Sequence, residues 1–257
     1  MYRAPLTPEG VYLGQLTTED VRRICAKPPT AILLPVGSVE PHGPHLPLAT
    51  DTIISEESSA RAARVLGERG IVTYIAPSVP YGVTDFAEGF SGAISVPSAL
   101  LRDLLRHIVL RFHADGWTHV CLVNNHLEPA HDAAVRGALD SLSKGSASVA
   151  CPLTRRWART LSDEFKRGDC HAGRYETSLA LAAGADVRAE YKALPGIAVS
   201  LADGLKAGKK TFQDMGLSRA YTGAPMDATA EEGHKLYDLL AEMIVTEVTE
   251  GIASRTP

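Results

Sequence analysis

No apolar run in this 257-residue chain approaches the ~20 residues that a membrane-spanning helix needs. The opening residues, MYRAPLTPEGVYLGQLT, lack the apolar core of a secretory signal. Neither sign of charge is in large excess: 26 Lys and Arg face 30 Asp and Glu, a net charge of −4. That balance argues against a nucleic-acid partner and against a membrane surface. Cysteine is scarce. Cys25, Cys121, Cys151 and Cys170 stand far apart and match no zinc or redox spacing. Buried, reduced thiols in a cytoplasmic protein are the expectation, with Cys170 set apart by its neighbour His171. There is no GxSxG elbow to carry a serine nucleophile and no GxGxxG or P-loop to cradle phosphate.

What is present is ordinary in bulk, 22% charged and 45% hydrophobic, and sufficient for one sizeable core. Residues 1–30 read as a leader packed on the domain, with a helix over 16–25 that Thr17 or Thr18 can cap. TAILLPVG (30–37) is apolar without polar alternation, the pattern of a strand buried on both faces. Similar runs follow at 71–77, 118–125 and 146–152. Helical patterns lie between them at 52–69, 98–115 and 129–142, with glycine stops at Gly70 and Gly116. Further helices are expected over 154–166, 175–183 and 228–251, and irregular chain over 193–226. The alternation predicts an α/β fold with a parallel, doubly wound sheet, and the absence of a linker predicts a single domain over 1–257. The long Gly- and Ser-rich segment 78–97 is expected to be functional.

The first strand runs into PVGSVEPHGPHLPLATD (35–51), which holds Glu40, His42, His45 and Asp51. Pro41 forces Glu40 to be extended. In extended chain, side chains two apart point the same way, so Glu40 and His42 can reach one point. Taken alone the pair also fits a polar turn. The third strand, however, ends in VNNHLEPAHD, where His126 and Glu128 are again two apart and Pro129 again follows. The chain thus twice places a His and a Glu, facing the same way, at the C-terminal end of a buried strand, the edge where open α/β sheets bind ligands. With Asp51 these make five oxygen and nitrogen donors, suited to Zn, Mn or Fe. Two divalent ions sharing Asp51 would use all five, and paired ions are a standard device for activating water. His45 is expected either to support a ligand from behind or to anchor the ligand loop.

These residues resemble the creatininase (creatinine amidohydrolase) family. The resemblance rests on GSVEPHGPHLPLATD, on YGVTDFAEGFSGAISV (81–96) and on HAGRYETS (171–178), in the family's order. It implies a three-layer α/β/α hydrolase with a dinuclear metal centre. By resemblance Glu40 and His126 would hold one ion, His42 and Glu128 the other, and Asp51 would bridge. His171 matches the family's catalytic histidine and Glu176 its neighbouring carboxylate. The resemblance also implies a homo-oligomer, often a hexamer. Trp157 is a candidate for an aromatic wall of the substrate pocket. Leu127 replaces an aromatic residue found between the two ligands in the creatinine-hydrolysing branch, and Arg167 replaces a tryptophan. Both departures point away from creatinine itself.

The chemistry expected is hydrolysis of a C–N amide bond by metal-activated water, with Glu128 or His171 moving the proton, in a small cyclic amide. Arginine binds carboxylates through two parallel hydrogen bonds, so Arg167 would select a substrate bearing one. The rival reactions are deformylation and the trimming of a small peptide, as in peptide-derived cofactor synthesis. A metal- or ligand-binding protein without turnover is the rival from another class.

Overall fold

A computed structural model describes residues 11–255. Residues 1–10 of the expected leader lie outside the described residues. The chain then forms α1 (Thr18–Cys25), β1 (Thr30–Val36), α2 (Thr50–Glu68) and β2 (Val72–Ile75), followed by α3 (Ser98–Ala114), β3 (His119–Asn124), α4 (Pro129–Gly137) and β4 (Ala147–Ala150). After β4 come α5 (Arg155–Ala158), α6 (Asp163–Arg167), α7 (Arg174–Ala182), α8 (Leu201–Lys206) and α9 (Ala230–Ala253). All strand pairs are parallel, in the order β2-β1-β3-β4.

The unbroken apolar runs have a simple cause. Each central strand is covered on both faces, so alternate residues enter different cores. Ala31 and Leu33 of β1, with Cys121 and Val123 of β3, pack under α2, α7 and α9 against Ile54, Leu179, Leu240 and Ile244. Ile32, Leu34 and Val36, with Val120 and Leu122, pack under α3 and α4 against Leu101, Leu105 and Val135. This is the expected doubly wound, three-layer arrangement. Thr17 closes a capping box with Asp20 at the start of α1, and Pro129 opens α4. Gly70 and Gly116 take the left-handed conformations that end α2 and α3.

Three boundaries differ from the sequence reading. The single helix expected over 154–166 is two short ones, because the Ser162 hydroxyl accepts from the Phe165 N–H and starts a new helix. The helix expected to reach 142 ends at Gly137. The irregular segment 193–226 contains α8, capped by Ser200. No described helix is long and apolar enough to cross a membrane.

The register of the two central strands sets where the loops begin. Val36 at the end of β1 lies opposite Asn124 at the end of β3. The loops that leave these two residues therefore emerge side by side.

Candidate metal centre and active site

Both loops turn their polar side chains inward. Glu40, His42 and Asp51 from the first, and His126 and Glu128 from the second, are buried at the C-terminal edge of the sheet. Asp51 comes from the first turn of α2 and spans the gap. Its Oδ1 lies 3.1 Å from His42 Nε2, and its Oδ2 lies 3.1 Å from His126 Nδ1. His126 Nδ1 is also 3.1 Å from Glu40 Oε1.

The far nitrogen of each ring is committed to the backbone. His42 Nδ1 donates to the Glu40 carbonyl at 3.1 Å, and His126 Nε2 donates to the Val83 carbonyl at 2.6 Å. The tautomers inferred from this network leave the lone pairs of His42 Nε2 and His126 Nδ1 facing carboxylates. A backbone carbonyl behind each imidazole is the usual support of a metal-binding histidine. Asp51 Oδ2 is buried and receives no hydrogen bond.

HAGRYETS completes the cluster. Glu176, in the first turn of α7, places Oε2 3.5 Å from His42 Nε2 and accepts from the Ala172 N–H at 2.6 Å. Ala172 holds a left-handed φ of 50°, a strained conformation for a residue with a Cβ. His171 donates from Nε2 to the Pro41 carbonyl at 3.0 Å, which leaves Nδ1 facing Glu40 at 4.0 Å. Its ring sits between His42 and Phe212, with centroids 4.6 and 4.4 Å away.

Among the described residues the donor atoms form three groups: Glu40, His126 and Glu128 on one side, His42, Asp51 and Glu176 on the other, and Glu40, His42 and His171 between them. These groupings differ from the ligand sets that the resemblance implies. His42 is partnered by Glu176, not by Glu128. The Glu128 carboxylate is drawn to the His126 side, where it accepts from the Asp85 and Phe86 N–H groups, each at 3.2 Å. Glu176 is therefore a ligand candidate and not only a neighbour of His171. His45 is fully buried and bonded through Nε2 to the Thr177 hydroxyl at 2.9 Å, beside Glu176.

The segment 83–86 is the hub of this arrangement. Val83 accepts from His126 and donates its N–H to His131 Nδ1. The Thr84 hydroxyl donates to Glu40, and Asp85 and Phe86 hold Glu128. The loop expected to be functional thus grips three of the candidate ligands.

Electrostatics test whether cations fit. Four carboxylates share one buried chamber whose lining contains neither Lys nor Arg among the described residues. Burial raises Glu128 to about 7 and Glu176 to about 8, the latter with help from Asp51. Burial lowers His42, but Asp51 beside it, with Glu176 and Glu40, more than reverses this and lifts it to about 10. His126 is likewise raised well above its ordinary range, by Glu40 and Asp51 against the effect of burial. The imidazoles are thus pulled towards carrying charge because the carboxylates demand a positive partner. Buried charges persist when paired or when they coordinate metal, and this donor set suits divalent Zn, Mn or Fe. His171 behaves differently. Burial and the nearby His42 push it down to about 4, so it is neutral near pH 7.

An apolar chamber opens onto the cluster. Phe86, Leu127, Leu201, Leu205 and Phe212 form its walls, with Cys170 and Pro129. The sequence reading missed Leu201, Leu205 and Phe212. The available signal was a Ser200-capped stretch with leucines four apart, which a helix places on one face.

Two expected pocket residues lie elsewhere. Trp157 is packed in the core, its indole N–H donating to Glu247 at 2.8 Å and Arg156 lying over its ring. Arg167 is largely exposed, pairs with Asp169 at 3.3 Å and lines a separate surface cavity. Neither residue lines the chamber. No carboxylate-binding arginine is therefore present among its described lining residues.

The sequence profile of the creatininase family, described as creatinine amidohydrolase, matches residues 14–248. The chain is 32% identical over 254 residues to the mycofactocin precursor peptide peptidase of Mycobacterium ulcerans (strain Agy99), covering 95% of this chain and 93% of that protein. It is 25% identical over 125 residues to the creatinine amidohydrolase of Pseudomonas putida, covering 47% of this chain and 46% of that protein. A solved structure described as "Creatininase Mn" superposes with a TM-score of 0.76 at 19% identity, covering 95% of this chain and 99% of that one, a likeness of fold. Profile, relatives and fold agree with the residues at the sheet edge, and the chain belongs to the creatininase family of hydrolases.

Proposed function

We propose that this chain is a metal-dependent amidohydrolase that cleaves a C–N amide bond in a small substrate carrying an apolar group beside the carbonyl. The observation that carries the reading is the buried cluster of carboxylates and imidazoles at the floor of an apolar chamber. Glu40, His126 and Glu128 would hold one divalent ion, His42 and Glu176 a second, and Asp51 would reach both. When bound, such ions lower the pKa of water from ~15.7 towards ~7.

The chain's own residues supply the rest. Glu128, held by two backbone N–H groups, takes the proton of the attacking water at a carboxylate oxygen. His171, fixed at Nε2 by Pro41, accepts at Nδ1 the proton that remains on the attacking oxygen and passes it to the leaving nitrogen as the C–N bond breaks, while Glu128 returns its proton to the products. The products are a carboxylic acid and an amine. Phe86, Leu127 and Phe212 exclude water around the scissile bond.

A short peptide is the substrate class favoured within this reading. Leucine and phenylalanine walls suit an apolar side chain, and the chain's similarity to a curated peptide peptidase extends over nearly its whole length. A small cyclic amide is the second reading, supported by the HxE ligand pair at His126 and Glu128.

Metal content by plasma emission spectroscopy tests the first step. About two ions per chain are expected, and most should be lost in Asp51→Ala. One ion or none, unchanged in the variant, would overturn the centre. A panel of short apolar peptides, neutral lactams and formamides, assayed with added Mn or Zn, then separates the reactions. Binding without turnover across the panel would favour a non-catalytic protein. We also propose self-association, a hexamer by family likeness, in a cytoplasmic setting. Sedimentation at the rate of a single chain would overturn the oligomer.

A further inference from the structure

Glu164 in α6 belongs to none of the sequence motifs, yet it is buried, 5% exposed, beside the HAGRYE segment. Its carboxylate joins two stretches of backbone. Oε1 accepts from the Tyr175 N–H at 2.9 Å, and Oε2 accepts from the Ala224 N–H at 2.8 Å. The Arg174 N–H adds to the same carboxylate. Arg174 and Tyr175 open α7, whose N-cap position is Gly173 and has no side chain to satisfy those donors. Glu164 therefore does from a distance what a capping residue does locally.

Two glycines make room for it. A Cβ on Gly173 would lie 2.6 Å from Glu164 Oε1, and one on Gly223 would lie 2.5 Å from Oε2. The joined stretches both border His171: Thr222 donates its N–H to the His171 carbonyl at 2.9 Å, and α7 carries Glu176 in its first turn. Glu164 itself touches none of the candidate ligands.

We propose that Glu164 is a positioning residue for the metal centre. By clamping the first turn of α7 to residues 222–224, it sets where Glu176 meets His42 and how His171 is presented. This rests on the metal-dependent function proposed for the chain. The expected consequence is selective: the ion held by His42, Asp51 and Glu176 depends on Glu164, whereas the ion held by Glu40, His126 and Glu128 does not. Loss of a supporting partner behind a ligand costs about 10- to 100-fold in metal affinity.

The test is titration of the metal-stripped full chain with MnCl₂, followed by calorimetry and electron paramagnetic resonance. Wild type should bind two ions. Glu164→Ala should weaken one of them about 10- to 100-fold and leave the other within about 3-fold. Glu164→Gln keeps one acceptor oxygen and should weaken the same ion less. Val248→Ala, a cavity in the α9 core remote from the site, serves as the control for lost stability. Equal affinities for both ions in Glu164→Ala and wild type would overturn the proposal. So would a loss at both ions matching that in Val248→Ala. If Glu164→Ala does not fold, Glu164→Gln decides: selective weakening supports the clamp and unchanged affinities overturn it. A wild type that binds no Mn²⁺ would instead remove the metal-dependent function, and the clamp with it.

Discussion

His42 and His126 are each committed at one ring nitrogen to a backbone carbonyl. Substituting the groups behind the ligands should therefore matter nearly as much as substituting the ligands. Thr84→Val removes the hydroxyl that donates to Glu40. It should lower metal affinity about 10-fold with little change in stability, which calorimetric titration measures. Glu128→Gln keeps the side chain's shape but removes its basicity and one anionic donor, so it is compared with wild type at saturating metal. It should lower kcat about 10²- to 10⁴-fold with KM little changed, as steady-state kinetics on the best substrate of the panel would show.

A third residue gives a pH signature away from the site. His119 is fully buried at the opposite end of β3, donating from Nδ1 to the Gly145 carbonyl and accepting at Nε2 from Ser148. Burial pushes it down to about 4, with smaller contributions from His113 and Arg255. The unfolded chain holds this proton up to ~6.5. The native-state preference for the neutral ring is thus fully present above ~6.5 and is lost as the pH falls towards 4, up to roughly 3 kcal/mol. His119→Gln should flatten that part of the pH–stability curve relative to wild type in urea unfolding. Parallel curves would show that His119 carries no such linkage.

Among the elements, the strands and main helices were legible because their burial is written in local pattern. Unbroken apolar runs gave the two-faced strands, and Thr17, Pro129, Gly70 and Gly116 gave starts and stops. The two halves of the site were legible for a related reason: a proline after each glutamate fixes the backbone that aims it. Which histidine meets which carboxylate was not legible, because spacing within one loop says nothing about a helix that arrives 125 residues after Asp51. The chamber walls from α8 and Phe212 were hidden similarly, since their burial depends on where an irregular segment lands. Trp157 lies in the core and Arg167 at a separate surface cavity, positions that no local sequence pattern gives.

The placement of α7 also predicts a stability effect. A Cβ on Gly233 of α9 would lie 1.9 Å from the Ser178 carbonyl oxygen of α7. Gly233 lets the two helices approach closely. Gly233→Ala should force them apart and cost about 1–3 kcal/mol or more, measured as a lower urea midpoint. Because α7 carries Glu176, metal affinity should fall with it. Unchanged stability would mean that α9 shifts without cost.

In the whole molecule, the two cores lie on opposite faces of one sheet, and the candidate centre sits at the edge where β1 and β3 end. The two ligand loops leave paired strand ends, and part of the chamber wall comes from α8 and the segment that follows it. Fold and chemistry are thereby separable: the apolar walls contributed by 201–212 can vary while the sheet edge keeps its donors in place.

The register of Val36 against Asn124 also bears on how the protein is made. β1 leaves the ribosome early, but its partner strand is complete only after residue 124, and Glu176 follows later still. Until then Glu40, His42 and Asp51 belong to an unfinished site with three donors from one loop and one helix turn. On the proposed metal centre, a nascent chain would hold divalent ions weakly, and firm capture would wait for the sheet to close and α7 to dock. Were the proposed ions bound, their loading would be a late event in biosynthesis and would report that both halves of the chain have come together.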